Sequence, residues 1–179
     1  YDKCKKDKIL LEEVLTQNDE LAAFNNSAVN TIRIVTLICA DDSIRIMAAV
    51  LRLSRKGKFA DNFHHDGIAA LIDIETGLVN TVGVDRKWNR YTVHPDSRKS
   101  IVGFQIPKWS EILATVKNAA WVHPEVRYVG WDVTIKGNGE IVLIEGNSGA
   151  DPDVTQVEDQ IGKWPLYEPL LKDIEKMKF

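Results

Sequence analysis

Three oxygen-bearing side chains stand at the ends of two β-branched runs: Asp132 in YVGWDVTI, and Glu145 with Asn147 in IVLIEGN. The runs flank Gly137-Asn138-Gly139, the local signal for an antiparallel hairpin. A two-residue turn at Asn138-Gly139 pairs Gly137 with Glu140 and therefore Asp132 with Glu145. Directly opposed residues share a face of the sheet, as do residues two apart on one strand. Asp132, Glu145 and Asn147 then form one patch of oxygen ligands. Two carboxylates brought close repel unless a cation or a proton lies between them. Hard oxygens with an open outer side suit a divalent ion such as Mg²⁺, which keeps several waters and is bridged by substrate phosphates. The plainer alternative is two ordinary exposed carboxylates on the wet face of an edge hairpin, since a one-residue slip moves a side chain to the other face. Position favours the chemical reading: Ile141 and Leu143 are expected on the face of Glu145, so the acidic end continues an apolar face.

Arg33 and Arg52 are each embedded in an apolar strand, where a guanidinium is costly unless it is paired or reaches water or phosphate. They either snorkel from an open sheet face or serve a metal-phosphate site, in which case they face the side that carries the acidic patch. His64 and His65 point opposite ways in an extended loop and have no third ligand at useful spacing, so zinc is a poor fit.

The elements that must hold these residues are mostly strands, expected at 31–38, 43–53, 68–74, 78–84, 128–136 and 140–147. Short turns join most of them, and the crossover helices of a parallel sheet are missing. The fold class is therefore α+β, a mainly antiparallel sheet with packed helices. Pro107 opens the strongest helical stripe, Trp109, Ile112, Leu113, Val116, Ala119 and Ala120, which is expected to run to Val122 across the sheet. Residues 85–103 read as a long surface excursion with aromatic pins. A short helix is expected over Val154 to Ile161, and a last one from Leu170 to Met177 after the Trp164–Pro169 stretch interrupts the chain.

The 179 residues suffice for one sizeable core or for one domain with a small appendage. With 23 basic and 26 acidic residues the formal charge is −3, which implies no general polyanion-binding surface; a local basic patch stays open, and no nucleic-acid partner is expected. Two cysteines, Cys4 and Cys39, are too few for a disulfide scaffold and fit a reducing cytoplasmic setting, with Cys39 buried in an apolar run. No stretch approaches the length of a membrane span and no signal-peptide pattern opens the chain. Tyr1 is not a natural initiator, so upstream elements are expected to be missing.

Asp132 in its strand and Glu145-x-Asn147 in the hairpin mate resemble the metal-binding acid and E-x-N element of the ATP-grasp ligases. More closely, NTIRIVTL, DNFHHDG, GFQIPKW, YVGWDV and LIEGNSG are similar to the sugar-transfer-associated ATP-grasp domains, related to α-L-glutamate ligases and RimK-like proteins. The resemblance implies that residues 1–179 are the C-terminal portion of an ATP-grasp domain whose phosphate-reaching lysines and glycine-containing lid lie upstream, in a missing N-terminal region of the same protein. It also implies site roles. Residues 9–13, ILLEE, cross the adenine pocket, with Glu12 or Glu13 taking the ribose hydroxyls. Arg33 and Arg52 lie near the phosphates and the acyl intermediate. Asn62 and His64 belong to a loop over the triphosphate or incoming substrate, in which Asp66 replaces the usual glycine. Asp132, Glu145 and Asn147 hold Mg²⁺ or Mn²⁺.

The implied activity is an ATP- and Mg²⁺-dependent ligation of a small-molecule carboxylate to an unidentified nucleophile through an acyl phosphate, in polysaccharide or cell-surface glycan modification. Metal ions and arginines would offset the charge that develops in phosphoryl transfer. Two alternatives stand beside it: a non-catalytic nucleotide-binding or partner module, and a Mg²⁺-dependent phosphate-transfer domain.

Overall fold

A computed structural model describes residues 13–57, 63, 67–156 and 158–177. The β-branched runs become β1 (Thr31–Ile38), β2 (Ile44–Leu53), β6 (Tyr128–Ile135) and β7 (Ile141–Asn147). Shorter strands β3 (Ile68–Leu71), β4 (Gly83–Asp85) and β5 (Arg90–Tyr91) extend the sheet, whose order is β5-β4-β3-β2-β1-β6-β7. Every pairing is antiparallel. Helices α1 (Asp19–Ala22), α2 (Trp109–Ala120) and α3 (Trp164–Glu175) complete an α+β fold.

Alternation along the strands divides the sheet into two faces. On one, Ile32, Ile34, Leu51, Leu53, Ile68, Val133 and Ile135 form the main core with Trp109, Ile112 and Val116 of α2. On the other, Val35, Leu37, Met47 and Ala48 meet Tyr167, Leu170 and Ile174 of α3, while Val50 and Ala69 meet Phe63 and Val154. Arg33, Arg52 and Asp132 alternate with main-core residues, so they belong to this second face. Cys39 is buried.

Several boundaries differ from expectation. The 68–74 strand ends at Leu71, because Asp73 Oδ1 accepts from the backbone and hydroxyl of Thr76 and turns the chain. Of 78–84 only Gly83 and Val84 join a strand; Leu78 and Val79 make isolated bridges to Gln105 and Ile72. Pro107 stays outside α2, whose cap is Lys108 at φ 53°. The Val154–Ile161 helix shrinks to one 3₁₀ turn, Asp153–Thr155. Helix α3 starts at Trp164, ahead of Leu170, because Pro165 occupies the first turn, where a missing N–H costs nothing. The 85–103 excursion is tied down on both sides: Arg55 holds Asp96 at 2.9 Å, and buried His94 meets the Ser54 carbonyl at 3.0 Å.

Candidate functional site

The hairpin that carries the acidic patch closes differently from a two-residue turn. The backbone N–H of Lys136 donates to the Glu140 carbonyl at 2.8 Å, leaving Gly137, Asn138 and Gly139 as a three-residue loop with Gly139 at φ 84°. That conformation suits glycine, and the loop type ends on it. The ladder then runs Ile135 with Ile141, Thr134 with Val142 and Val133 with Leu143, until a bulge inserts one residue on β7. Beyond it Asp132 stands opposite Glu145, and Gly130 opposite Asn147. The turn removes one residue from the expected register and the bulge restores it. The expectation that Ile141 and Leu143 share the face of Glu145 is therefore corrected: they pack in the main core, whereas the bulge at Ile144 sends Glu145 to the opposite face with Asp132.

Asp132 is paired across the sheet with Arg33. Arg33 Nε donates to Asp132 Oδ1 at 2.5 Å and its NH2 to Oδ2 at 2.9 Å, a bidentate fork. Arg52, one strand further on, donates through NH1 to the same Oδ2 at 2.9 Å. Both arginine side chains are 11 % exposed, which rules out snorkelling from an open face. Glu145 is exposed and accepts from the amide of Asn147. The structure thus gathers Arg33, Arg52 and Asp132 into one cluster and sets Glu145 and Asn147 beside it on the sheet edge.

Glycine at 130 makes the close packing possible. A Cβ there would come within 2.4 Å of Ala150 Cβ and 3.3 Å of Arg33 Cδ. An isolated glycine inside a strand pattern is the sequence signal for such an approach. Ala150 in turn accepts from the Tyr128 hydroxyl at 3.2 Å. Burial pushes the Tyr128 phenol above its ordinary value, with Tyr167 and Arg33 pulling the other way.

Glu13 lies across the edge of the hairpin. With Val14, Leu15, Val29, Lys136, Val142, Leu143 and Ile144 it lines a cavity of about 370 Å³. Ile144, in this lining, immediately precedes Glu145 in β7. Gln17 fixes this incoming segment: its amide donates to the Asn30 carbonyl at 2.6 Å and to Thr134 Oγ1 at 3.0 Å. Glu12, Asn62 and His64 lie outside the described residues. Phe63, from the same loop as Asn62 and His64, is buried against Val50 and Ala69, and Ala69 pairs with Arg52.

The family description "Sugar-transfer associated ATP-grasp" matches residues 3–175. The chain belongs to this family. No curated protein matches it. Among solved structures it is similar to the ATP-grasp ligase PsnB complexed with a minimal precursor, at 14% identity and a TM-score of 0.45 over 90% of this chain and 36% of that one. A second PsnB structure, complexed with a phosphomimetic variant of the minimal precursor, Mg and ADP, gives 12% identity and a TM-score of 0.43 over 82% and 34%. The chain therefore spans about a third of the length of those ligases.

Membership of the sugar-transfer associated ATP-grasp family implies a divalent ion, which the donor chemistry can be asked to hold. Glu145 and Asn147 fit, offering hard oxygens at an exposed strand end once the Asn147 amide turns its oxygen outward. Asp132 does not fit in this arrangement, because both of its oxygens are engaged by guanidinium groups. Among the described residues no three His, Cys, Asp or Glu side chains group closely enough to hold an ion. Nor is any described helix long and apolar enough to cross a membrane.

Proposed function

We propose that the full-length protein is an ATP-dependent ligase that activates a small-molecule carboxylate as an acyl phosphate and passes it to a nucleophile, in the modification of a polysaccharide or cell-surface glycan. The observation that carries this reading is the Arg33 fork and the Arg52 contact on Asp132, beside the exposed Glu145 and the half-buried Asn147. Family membership over residues 3–175 supports it.

In this reading the cavity behind Glu13 and Ile144 receives the adenine, with the Glu13 carboxylate toward the ribose hydroxyls. Glu145 and Asn147 would hold Mg²⁺, which when bound neutralises phosphate charge. The carboxylate oxygen of the substrate attacks the γ-phosphorus while the bond to the β,γ-bridging oxygen breaks, giving an acyl phosphate and ADP. Arg33 and Arg52 face the charge that spreads over the transferring group. Because Asp132 already holds both guanidinium groups, little reorganisation remains to be done at the moment of transfer. The nucleophile then adds to the acyl carbon, phosphate leaves, and the proton lost by the nucleophile passes to solvent. Nothing in the cluster needs to act as a covalent nucleophile.

The test is ATP turnover by the complete gene product with hydroxylamine and candidate sugar acids. Formation of hydroxamate with ADP release in equal amounts is expected. ADP release without hydroxamate would replace this reading with a phosphate-transfer function.

A further inference from the structure

The geometry points to a sugar-ring subsite beside the arginine cluster: the cavity walled by Tyr128, Tyr167 and Trp164 holds one neutral hexopyranose residue of the glycan that receives the acyl group. The inference rests on the ligase reading for the reaction and goes beyond it in naming the acceptor's class and its seat. A hydroxyl of the seated sugar adds to the acyl carbon, the bond from that carbon to the phosphate oxygen breaks, and the hydroxyl proton leaves to solvent, giving an ester.

Placement comes first. Tyr128, Gly130 and Asp132 alternate along β6, so all three belong to the face that carries Arg33 and Arg52. Ala150, which also lines the cavity, packs over Gly130, where a Cβ would meet Ala150 Cβ at 2.4 Å and Arg33 Cδ at 3.3 Å. Tyr128 and Gly130 are two strand residues apart, about 7 Å. A ring seated against Tyr128 therefore presents a substituent toward the group that Arg33 faces.

The lining decides what fits. The cavity holds about 460 Å³, the size of a small-ligand site. Tyr128 and Tyr167 meet edge to face with centroids 6.1 Å apart, and the Tyr128 hydroxyl donates to the Ala150 carbonyl at 3.2 Å, so this wall is preformed. Trp164, in the first turn of α3, lines the same cavity yet is 61 % exposed, so the cavity opens to solvent at its ring. Among the described residues lining it only Lys163 is charged, and its ammonium is paired with Asp159. Burial raises both phenols, which keeps them neutral at physiological pH. A wall without net charge disfavours a phosphate, a nucleotide or a uronate, and suits a ring with apolar C–H faces and hydroxyl edges. The polar edge is supplied by Gln156, whose Oε1 accepts from the Lys163 backbone N–H at 2.9 Å, and by the ammonium protons that Lys163 does not give to Asp159.

The experiment titrates the full-length protein with cellohexaose, maltohexaose and mannohexaose, followed by calorimetry and ligand-observed NMR. At least one is expected to bind saturably, and more tightly than hexagalacturonate. Trp164→Leu, which keeps an apolar side chain but removes the ring, should weaken that binding about tenfold, whereas Trp164→Phe should stay within about threefold of the wild type. Trp88→Leu is the control for unspecific stacking: Trp88 is 60 % exposed between β4 and β5, at the opposite edge of the sheet, and its loss should leave the affinity unchanged. Circular dichroism checks each fold. Binding by Trp164→Leu as tight as by Trp88→Leu overturns the inference, and so does equal affinity for hexagalacturonate. A wild type that binds none of the neutral probes also overturns it, the result expected if the upstream chain or a second copy fills the cavity. In turnover without hydroxylamine, the bound probe should raise ADP release as it takes the acyl group, and no rise overturns the acceptor assignment. Trp164-dependent binding with no hydroxamate in the turnover test removes the ligase reading and leaves a sugar site without the acceptor's role; hydroxamate without such binding does the reverse.

Discussion

Among the described residues Glu158 is a buried acid with both carboxylate oxygens lacking a hydrogen-bond partner. It is 3 % exposed. Desolvation pushes its acid up to about 8, from a model-peptide value of 4.5, with Asp159 adding to the rise and Lys163 opposing it. An acid that ionises more readily unfolded than folded destabilises the fold as pH rises. The folded protein binds the extra proton between about 4.5 and 8, so its stability is greatest at the low end of that window and declines toward the top. Thermal melts between pH 5 and 8 should show this decline, and Glu158→Gln should flatten it. A wild-type slope unchanged in the variant would mean that another group carries the dependence. No motif marks Glu158 in the sequence, since the burial of a lone carboxylate is set by tertiary packing.

At the scale of the elements, the hairpin of β6 and β7 decides where the acidic patch lies. Gly146 sits where a Cβ would meet Trp131 Cζ3 at 2.7 Å, and the Trp131 indole N–H is held by Thr36 Oγ1 at 2.9 Å. Gly146→Ala, though at an exposed position, drives a Cβ into the Trp131 ring, which must shift, and should cost on the order of 1 kcal/mol. Denaturant titration followed by tryptophan fluorescence reads the loss, and an unchanged midpoint would show that the ring yields freely. Much of this hairpin was legible in the sequence. The Val/Ile runs mark the strands and Gly137-Asn138-Gly139 marks the turn, though not its three-residue form; Asp132 and Glu145 stand opposed because the bulge offsets the residue that the turn removes. The bulge at Ile144 was not legible, because pattern alone does not say on which strand an extra residue is absorbed. Helix α3 begins ahead of the expected Leu170 because Pro165 sits in its first turn, where a proline is compatible with a helix, and Pro169, inside the helix, does not end it. The arginines were legible as costly residues in apolar strands. Their common partner emerged only from the pairing of β1 with both β2 and β6.

At the scale of the whole molecule, the centre of the sheet joins distant parts of the chain. Strand β1 pairs with β6, and the Arg33 to Asp132 contact spans 99 residues. Non-local antiparallel pairings must close long loops before they gain contacts, which places such folds in the millisecond-to-second range. Stopped-flow refolding, followed by tryptophan emission, should be no faster than about a millisecond. A microsecond phase carrying the full amplitude would contradict the topology.

The clamp on Asp132 also acts as a proofreading device for strand register. Arg33, Arg52 and Asp132 come from β1, β2 and β6, three consecutive strands of the sheet. A slip of one residue between any two of them would carry a charged side chain through to the face packed by Ile32, Ile34, Leu51 and Val133, while stranding its partner on the other. Breaking a buried pair in this way costs about 3–5 kcal/mol, comparable to much of a small domain's net stability. Misaligned sheets are thereby rejected by the same three residues that shape the candidate site, so a chain that passes this check arrives with its arginines already aimed.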